Sequence, residues 1–211
     1  MPSRGKFITL EGSEGAGKST NMDAICRLLD NRGIDFYRTR EPGGTPMAEA
    51  LRDIVLTKWQ EPVDGLTELL TVFAARNQHV TCEIKPRLDK GQWVLCDRFT
   101  DATYAYQGHA RGVPSSYVEA LETWVQNDLR PDLTLYLDLD PSIGKQRISN
   151  REQDRFEVER IEFFTAVRQG YLLRAATQPS THTIDASLPL LAVQREIAWV
   201  VNQFVDEIQI D

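Results

Sequence analysis

The stretch GSEGAGKST, Gly12 to Thr20, constrains this chain more than any other, because it fits the phosphate-binding loop pattern GxxxxGKS without a gap. It follows the apolar run Phe7-Ile8-Thr9-Leu10, a strand candidate. From Asn21 onward Met22, Ile25, Leu28 and Leu29 recur at helical spacing until Gly33. In a strand, loop and helix of this kind the backbone N–H groups of Gly12, Ser13, Glu14, Gly15, Ala16, Gly17, Lys18, Ser19 and Thr20 turn toward one anion, which the helix N-terminus also faces. Lys18 adds a mobile positive charge, and Ser19 puts a hydroxyl where a phosphate-bound Mg²⁺ needs a ligand.

The same alternation of strand and helix runs to the end of the chain. Phe36 to Thr39 reads as a strand, and Arg40 to Thr45 as a turn. Thr45 then caps a helix whose apolar face is Met47, Leu51, Ile54 and Val55. Leu66 to Lys90 reads as a helix burying Leu69, Leu70, Phe73 and Val80, with a kink or a break at Pro86. Trp93 to Cys96 is a strand that delivers Asp97 and Arg98 to its C-terminal end, where open α/β sheets bind ligands. Residues 99 to 114 read as loop with some helix, and Ser116 with Glu119 as a capping box. Leu133 to Leu137 is a strand, Asp140-Pro141 caps a helix, and the arginine-rich segment from Arg147 to Arg155 reads as exposed and mobile. Phe156 to Ala176 and Leu190 to Ile208 are amphipathic helices flanking a last strand at Thr183-Ile184. The pattern predicts one α/β domain over residues 1–211, of P-loop NTPase type. Its five-stranded, mainly parallel sheet is covered by helices on both faces, with a mobile lid near 147–156.

A chain of 211 residues, 41% of them hydrophobic, has enough apolar surface for one substantial core. Its net charge of −7 argues against non-specific nucleic-acid or anionic-lipid binding, so an anionic partner should be small and locally recognised. The sequence carries neither a membrane span nor a secretion signal, and a cytoplasmic protein is expected. Cys26, Cys82 and Cys96 fit no metal pattern and are expected as buried thiols. His79, His109 and His182 fit no triad and are expected to be structural or at the surface.

A phosphate-binding loop alone does not separate motor, switch, ligase and kinase. TREPGGT (Thr39 to Thr45), FAAR (Phe73 to Arg76), DRFTDATYAYQG (Asp97 to Gly108), RPDLTLYLD (Arg130 to Asp138) and the arginine-rich run before Asp154 resemble the bacterial thymidylate kinases, in order and over essentially the whole chain. The resemblance is to the class with a lid arginine and none in the phosphate loop. It implies transfer of phosphoryl from ATP to dTMP, with Mg²⁺ as cofactor, and a homodimer. It implies that Arg76 and Arg98 grip the 5′-phosphate of dTMP, and that Phe73 stacks on thymine. Gln107 and Thr103 would lie near the pyrimidine, Tyr106 against the sugar, and Glu14 under the 3′-hydroxyl. Arg40 and Pro42 would sit beside the phosphate and base, Asp97 would assist Mg²⁺, and Arg151 would reach the transferring phosphoryl group, flanked by Arg147 and Arg155. By periodicity alone Phe73 is a core residue.

Two departures stand out. Ala102 occupies a position where the family often has Ser, and Glu152 follows Arg151 where a glycine is common. Two other functions fit a phosphate loop. A nucleotide-driven switch would need no second arginine-lined site, and a GTPase would carry an Asn-Lys-x-Asp guanine reader that this sequence lacks. A deoxynucleoside kinase would differ in its acceptor, taking thymidine in place of dTMP.

Overall fold

The computed structural model describes residues 4–149 and 153–210, without the side chains of the last two. Five strands, β1 (Phe7–Gly12), β2 (Phe36–Arg40), β3 (Trp93–Asp97), β4 (Leu133–Asp138) and β5 (Thr181–Asp185), form one sheet in the order β2-β3-β1-β4-β5. Every pairing is parallel. The phosphate-loop strand is therefore central, and the C-terminal ends of its neighbours β3 and β4 flank the loop.

Alternation along the strands divides the core. Ile8, Leu10, Leu95, Leu133, Leu135 and Leu137 pack on one face beneath α1 (Lys18–Asn31) and α9 (Leu190–Ile210). Phe7, Val94, Cys96 and Tyr136 point to the other face, toward the central helices and α8 (Ile161–Thr177). Both faces being covered, the strands read as nearly unbroken apolar runs. Leu10 is fully buried, and truncating such a leucine costs about 2–5 kcal/mol.

Helix α2 (Pro46–Leu56) starts where Thr45 accepts from the Ala48 N–H, as a cap residue does. Its buried stripe is Ala48 and Val55, with Met47 and Ile54 more than two-fifths exposed, so the face expected from all its apolar residues is rotated. Helix α3 (Gly65–His79) likewise leaves Leu70 half exposed. It does not break at Pro86. The chain widens into a π turn over Val80–Ile84 and continues as α4 (Lys85–Asp89), which absorbs the missing proline N–H. Residues expected as loop are largely helical: α5 (Thr100–Thr103) runs directly into a second π stretch, Tyr104–Ala110. Helix α6 (Ser115–Gln126) begins at Pro114 with no side-chain cap, so the Ser116/Glu119 box does not form. Asp140 does cap α7 (Pro141–Ile148), accepting from the Ser142 N–H. All three cysteines are free thiols, and Cys82 is exposed, not buried.

Candidate active site

Gly15 shows why the loop needs its glycines: its φ is +76°, and a Cβ there would lie 2.4 Å from the Gly144 carbonyl oxygen of α7. The loop is thus clamped between α1 and α7. Lys18 folds back over it, its Nζ donating to the carbonyls of Gly12 (2.9 Å) and Ser13 (3.2 Å). Burial, with Arg98 nearby, lowers the Lys18 pKa to about 8. Beside the loop opens a cleft of about 700 Å³ lined by Glu14, Gly15, Gly17, Lys18, Ser19, Thr20, Arg40, Asp97 and Arg147 among others.

A second, deeper cavity meets this cleft at Glu14, Glu41, Arg52, Arg98 and Asp154. Arg98 stands at the junction with φ +68°, a left-handed angle that costs a non-glycine residue on the order of 1–3 kcal/mol. Neighbours hold it there: its N–H donates to Leu10 O (3.0 Å), the Cys96 thiol to its carbonyl (3.0 Å), and the next N–H, of Phe99, to the buried Glu11 carboxyl (2.7 Å). The guanidinium meets Glu14 Oε1 at 2.7 Å, and Tyr106 donates to Glu14 Oε2 at 2.6 Å. Burial disfavours charge on Glu14, yet Arg98, Lys18 and Tyr106 together hold its pKa below the usual carboxylate value.

Arg76 lies at the back of the inner cavity, 1% exposed. Nε donates to Glu41 Oε2 (2.7 Å), and Nη2 to Phe99 O and Thr103 Oγ1 (3.0 Å each). Nη1 is buried with no partner among the described residues. Glu41 also accepts from His79 Nδ1 (3.0 Å), whose Nε2 faces Thr39 Oγ1 at 2.8 Å. Arg76 and His79 keep the Glu41 pKa low against the opposing effect of burial. His79 in turn underlies the turn at Gly44, where φ is +85° and a Cβ would fall 2.3 Å from Nε2.

Of the residues read from the sequence, Glu14, Pro42, Arg76, Arg98, Thr103, Tyr106 and Gln107 line the inner cavity. The outer cleft takes Gly15, Gly17, Lys18, Ser19, Thr20, Arg40 and Asp97. Gly12, Ser13 and Ala16 form the body of the loop. Phe73 does not line the cavity; it is 2% exposed and packs with Leu69, Val113 and Val118, while its neighbour Val72 takes the cavity wall. Consecutive helix residues point about 100° apart, so only one of the two can face the ligand.

Arg151 lies outside the described residues, as does Glu152. Arg147 is exposed, donates to Gly15 O (3.1 Å) and lines the outer cleft. Arg155 is bound elsewhere, to Glu68 Oε2 (2.7 Å) and Val55 O (2.8 Å). The helix expected from Phe156 starts at Ile161; ahead of it Phe156 and Glu157 are buried, and Asp154 accepts from both their N–H groups.

Sequence reasoning missed Arg52, which donates to Pro42 O (2.9 Å) and lines both cavities. Burial, Arg40 and Arg98 lower its pKa, the mark of a cation held among cations. Its signal was spacing: Ala48, Arg52 and Val55 share the inward stripe of α2. Among the described residues no helix is long and apolar enough to cross a membrane, and no cluster of three or more His, Cys, Asp or Glu could hold a metal unaided.

A phosphate loop on the central strand of a parallel sheet, its cleft meeting a second cavity at Arg98 and Arg52, defines a P-loop phosphotransferase with places for donor and acceptor. The family described as thymidylate kinase matches residues 10–197. A thymidylate kinase of Chromohalobacter salexigens is 54% identical over 92% of this chain and 93% of its own length. One from Teredinibacter turnerae is 51% identical over 95% and 99%, and one from Pseudomonas fluorescens 50% over 96% and 97%. The chain belongs to the thymidylate kinase family.

Proposed function

We propose that the protein transfers the γ-phosphoryl group of ATP to the 5′-phosphate of dTMP, giving ADP and dTDP. The observation that carries this reading is the junction of the two cavities at Arg98. One guanidinium borders both the phosphate loop and the acceptor cavity, which suits a reaction whose main demand is to bring two polyanions together.

In this reading the loop N–H groups and Lys18 hold the ATP phosphates. Arg98, strained and preset, takes the acceptor phosphate with help from Arg52 and Arg40. Bidentate guanidinium contacts fix direction as well as charge. Glu14 and Tyr106 sit where the sugar enters. Arg76, already neutralised by Glu41, offers its one unpaired Nη1 to a neutral oxygen on the base, so the phosphate role suits Arg98 better. Mg²⁺ fits the residues present: Asp97 Oδ1 is a buried acceptor with no hydrogen-bond partner among the described residues, on the same cleft as Ser19. When bound, the ion would neutralise charge on the ATP phosphates. The resemblance assigns the transferring phosphoryl group to Arg151; Arg147, which lies on the cleft, is the alternative, and Arg155 is engaged by Glu68.

The protein works in the cytoplasm, where ATP and dTMP are found, as a homodimer. Leu66 and Leu70 on α3 and Tyr117 and Trp124 on the adjoining α6 leave exposed apolar surface that a second copy would cover. A monomeric mass at micromolar concentration would refute the dimer. The reaction is tested by coupled ADP release with no acceptor, with dTMP and with thymidine. Release should require dTMP; release indifferent to acceptor, or faster with thymidine, overturns the reading.

A further inference from the structure

Glu68 is a buried carboxylate on α3, 1% exposed, with three side chains converging on it. Gln107 Nε2 donates to Oε1 at 2.6 Å. Arg155 Nη2 donates to Oε2 at 2.7 Å, and Arg111 Nε approaches the same oxygen at 3.4 Å. A carboxylate ringed by donors can only accept, so chemistry fixes the Gln107 amide: its NH₂ must face Glu68. Turned over, the amide would set its oxygen against a carboxylate oxygen, two acceptors at hydrogen-bond distance. With the NH₂ committed, Oε1 is the end Gln107 has left for the cavity, and among the described residues no donor meets it. The cavity's buried unpartnered polar groups among the described residues are both donors, Arg76 Nη1 at its back and Nε of Arg98, the arginine at the junction with the outer cleft.

We propose that Glu68 is a positioning residue for base selection, which rests on the dTMP reading: by locking the Gln107 amide, it sets an acceptor on the cavity to work together with the Arg76 donor. That pair complements a pyrimidine with an N3–H beside a 4-carbonyl, as in thymine and uracil. It opposes cytosine, whose N3 accepts and whose 4-amino group donates. Glu68 never touches the base. Through Arg155 the same carboxylate also fastens the strap formed by Asp154 to Phe156, which lines the cavity, so the reader of the base and that strap share one anchor.

The test compares dTMP with 5-methyl-dCMP, which differ only at this edge, by kcat/KM in wild type, Glu68→Gln, and the exchange variant Glu68→Gln/Gln107→Glu. In Glu68→Gln the residue-68 amide tolerates either face of Gln107, and the preference for dTMP should fall roughly tenfold or more, the worth of one mismatched buried polar contact. Loss of the strap anchor alone would slow both acceptors equally and leave the ratio unchanged. In the exchange variant the amide at 68 donates to the carboxylate at 107, which can only present an acceptor toward the cavity, so the preference should recover. A ratio unchanged within about twofold in Glu68→Gln, or no recovery in the exchange variant, overturns the proposal.

If Glu68→Gln does not fold, as its melting curve will tell, the wild-type protein still decides. The Gln107 side-chain NH₂ signals, assigned by their loss in Gln107→Leu, should be protected from hydrogen exchange with and without dTMP; exchange at the solvent rate overturns the proposal. Failure of wild type to phosphorylate dTMP would instead refute the reaction, a result distinct from an unchanged ratio.

Discussion

Lys18 has two sets of partners to choose between. Its Nζ donates to the carbonyls of Gly12 and Ser13, and burial lowers its pKa to about 8; phosphate oxygens would draw it back toward its ordinary 10.5. The pKa is lower in the free protein than in the complex. ATP binding between those values therefore takes up a proton, and affinity weakens as pH rises through about 8. Calorimetry at pH 9 in two buffers of different ionisation enthalpy should show the uptake, and none would count against this role. Arg151→Ala is expected to lower kcat by ~10³ to 10⁵ with little change in KM for dTMP, because the acceptor phosphate is held by Arg98. A change within about threefold, ~0.7 kcal/mol, would move the role to Arg147. At this scale the loop residues and Arg98 were legible because their chemistry is set by local spacing. Burial of Phe73 was legible too, and it is the stacking role implied by the resemblance that its place in the core does not support; Arg52 was missed, because which helix residue faces a cavity depends on how α2 and α3 roll against their neighbours.

The helices α2 and α3 and the π stretch at Tyr104–Ala110 make the acceptor cavity, and each is set by a local device. Thr45 starts α2 and also ends the turn that rests on His79, so Thr45→Ala should cost about 1 kcal/mol of stability. Thermal melting measures the loss, and KM for dTMP should rise with it. A variant as stable as wild type would show that the turn, not the cap, fixes the helix. The cap and the Pro46 start could be read from sequence because they need only neighbouring residues. The π stretch could not. Its wider turn brings Thr103, Tyr106 and Gln107 to the cavity together, and it is settled by packing against α8, a contact far away in the chain.

Across the whole molecule the parallel sheet buries Glu11, one strand residue from the phosphate loop, between Tyr171 of α8 and the backbone of Phe99. Burial, with Asp101 adding to it, raises the Glu11 pKa from 4.5 to about 8. The folded state then binds a proton that the unfolded chain has lost, so stability falls as pH rises from about 4.5 to about 8. Asp101 is shifted in the same sense, also by burial, so Glu11→Gln should make the decline shallower without abolishing it. Denaturant melts at pH 5, 6.5 and 8 would show this; parallel curves for the two proteins would contradict it. Strand count and parallel order followed from the alternation of apolar runs and helices, whereas the burial of a carboxylate inside that sheet left no mark in the pattern.

An arginine-bridged pair of cavities that moves a phosphoryl group between two nucleotides must couple loss of ATP to gain of dTDP. Phosphorus NMR of the protein with ATP, Mg²⁺ and dTMP tests it most directly. ADP and dTDP should appear in equal amounts at the rate ATP disappears. ADP accompanied by inorganic phosphate, with dTMP unchanged, would contradict it.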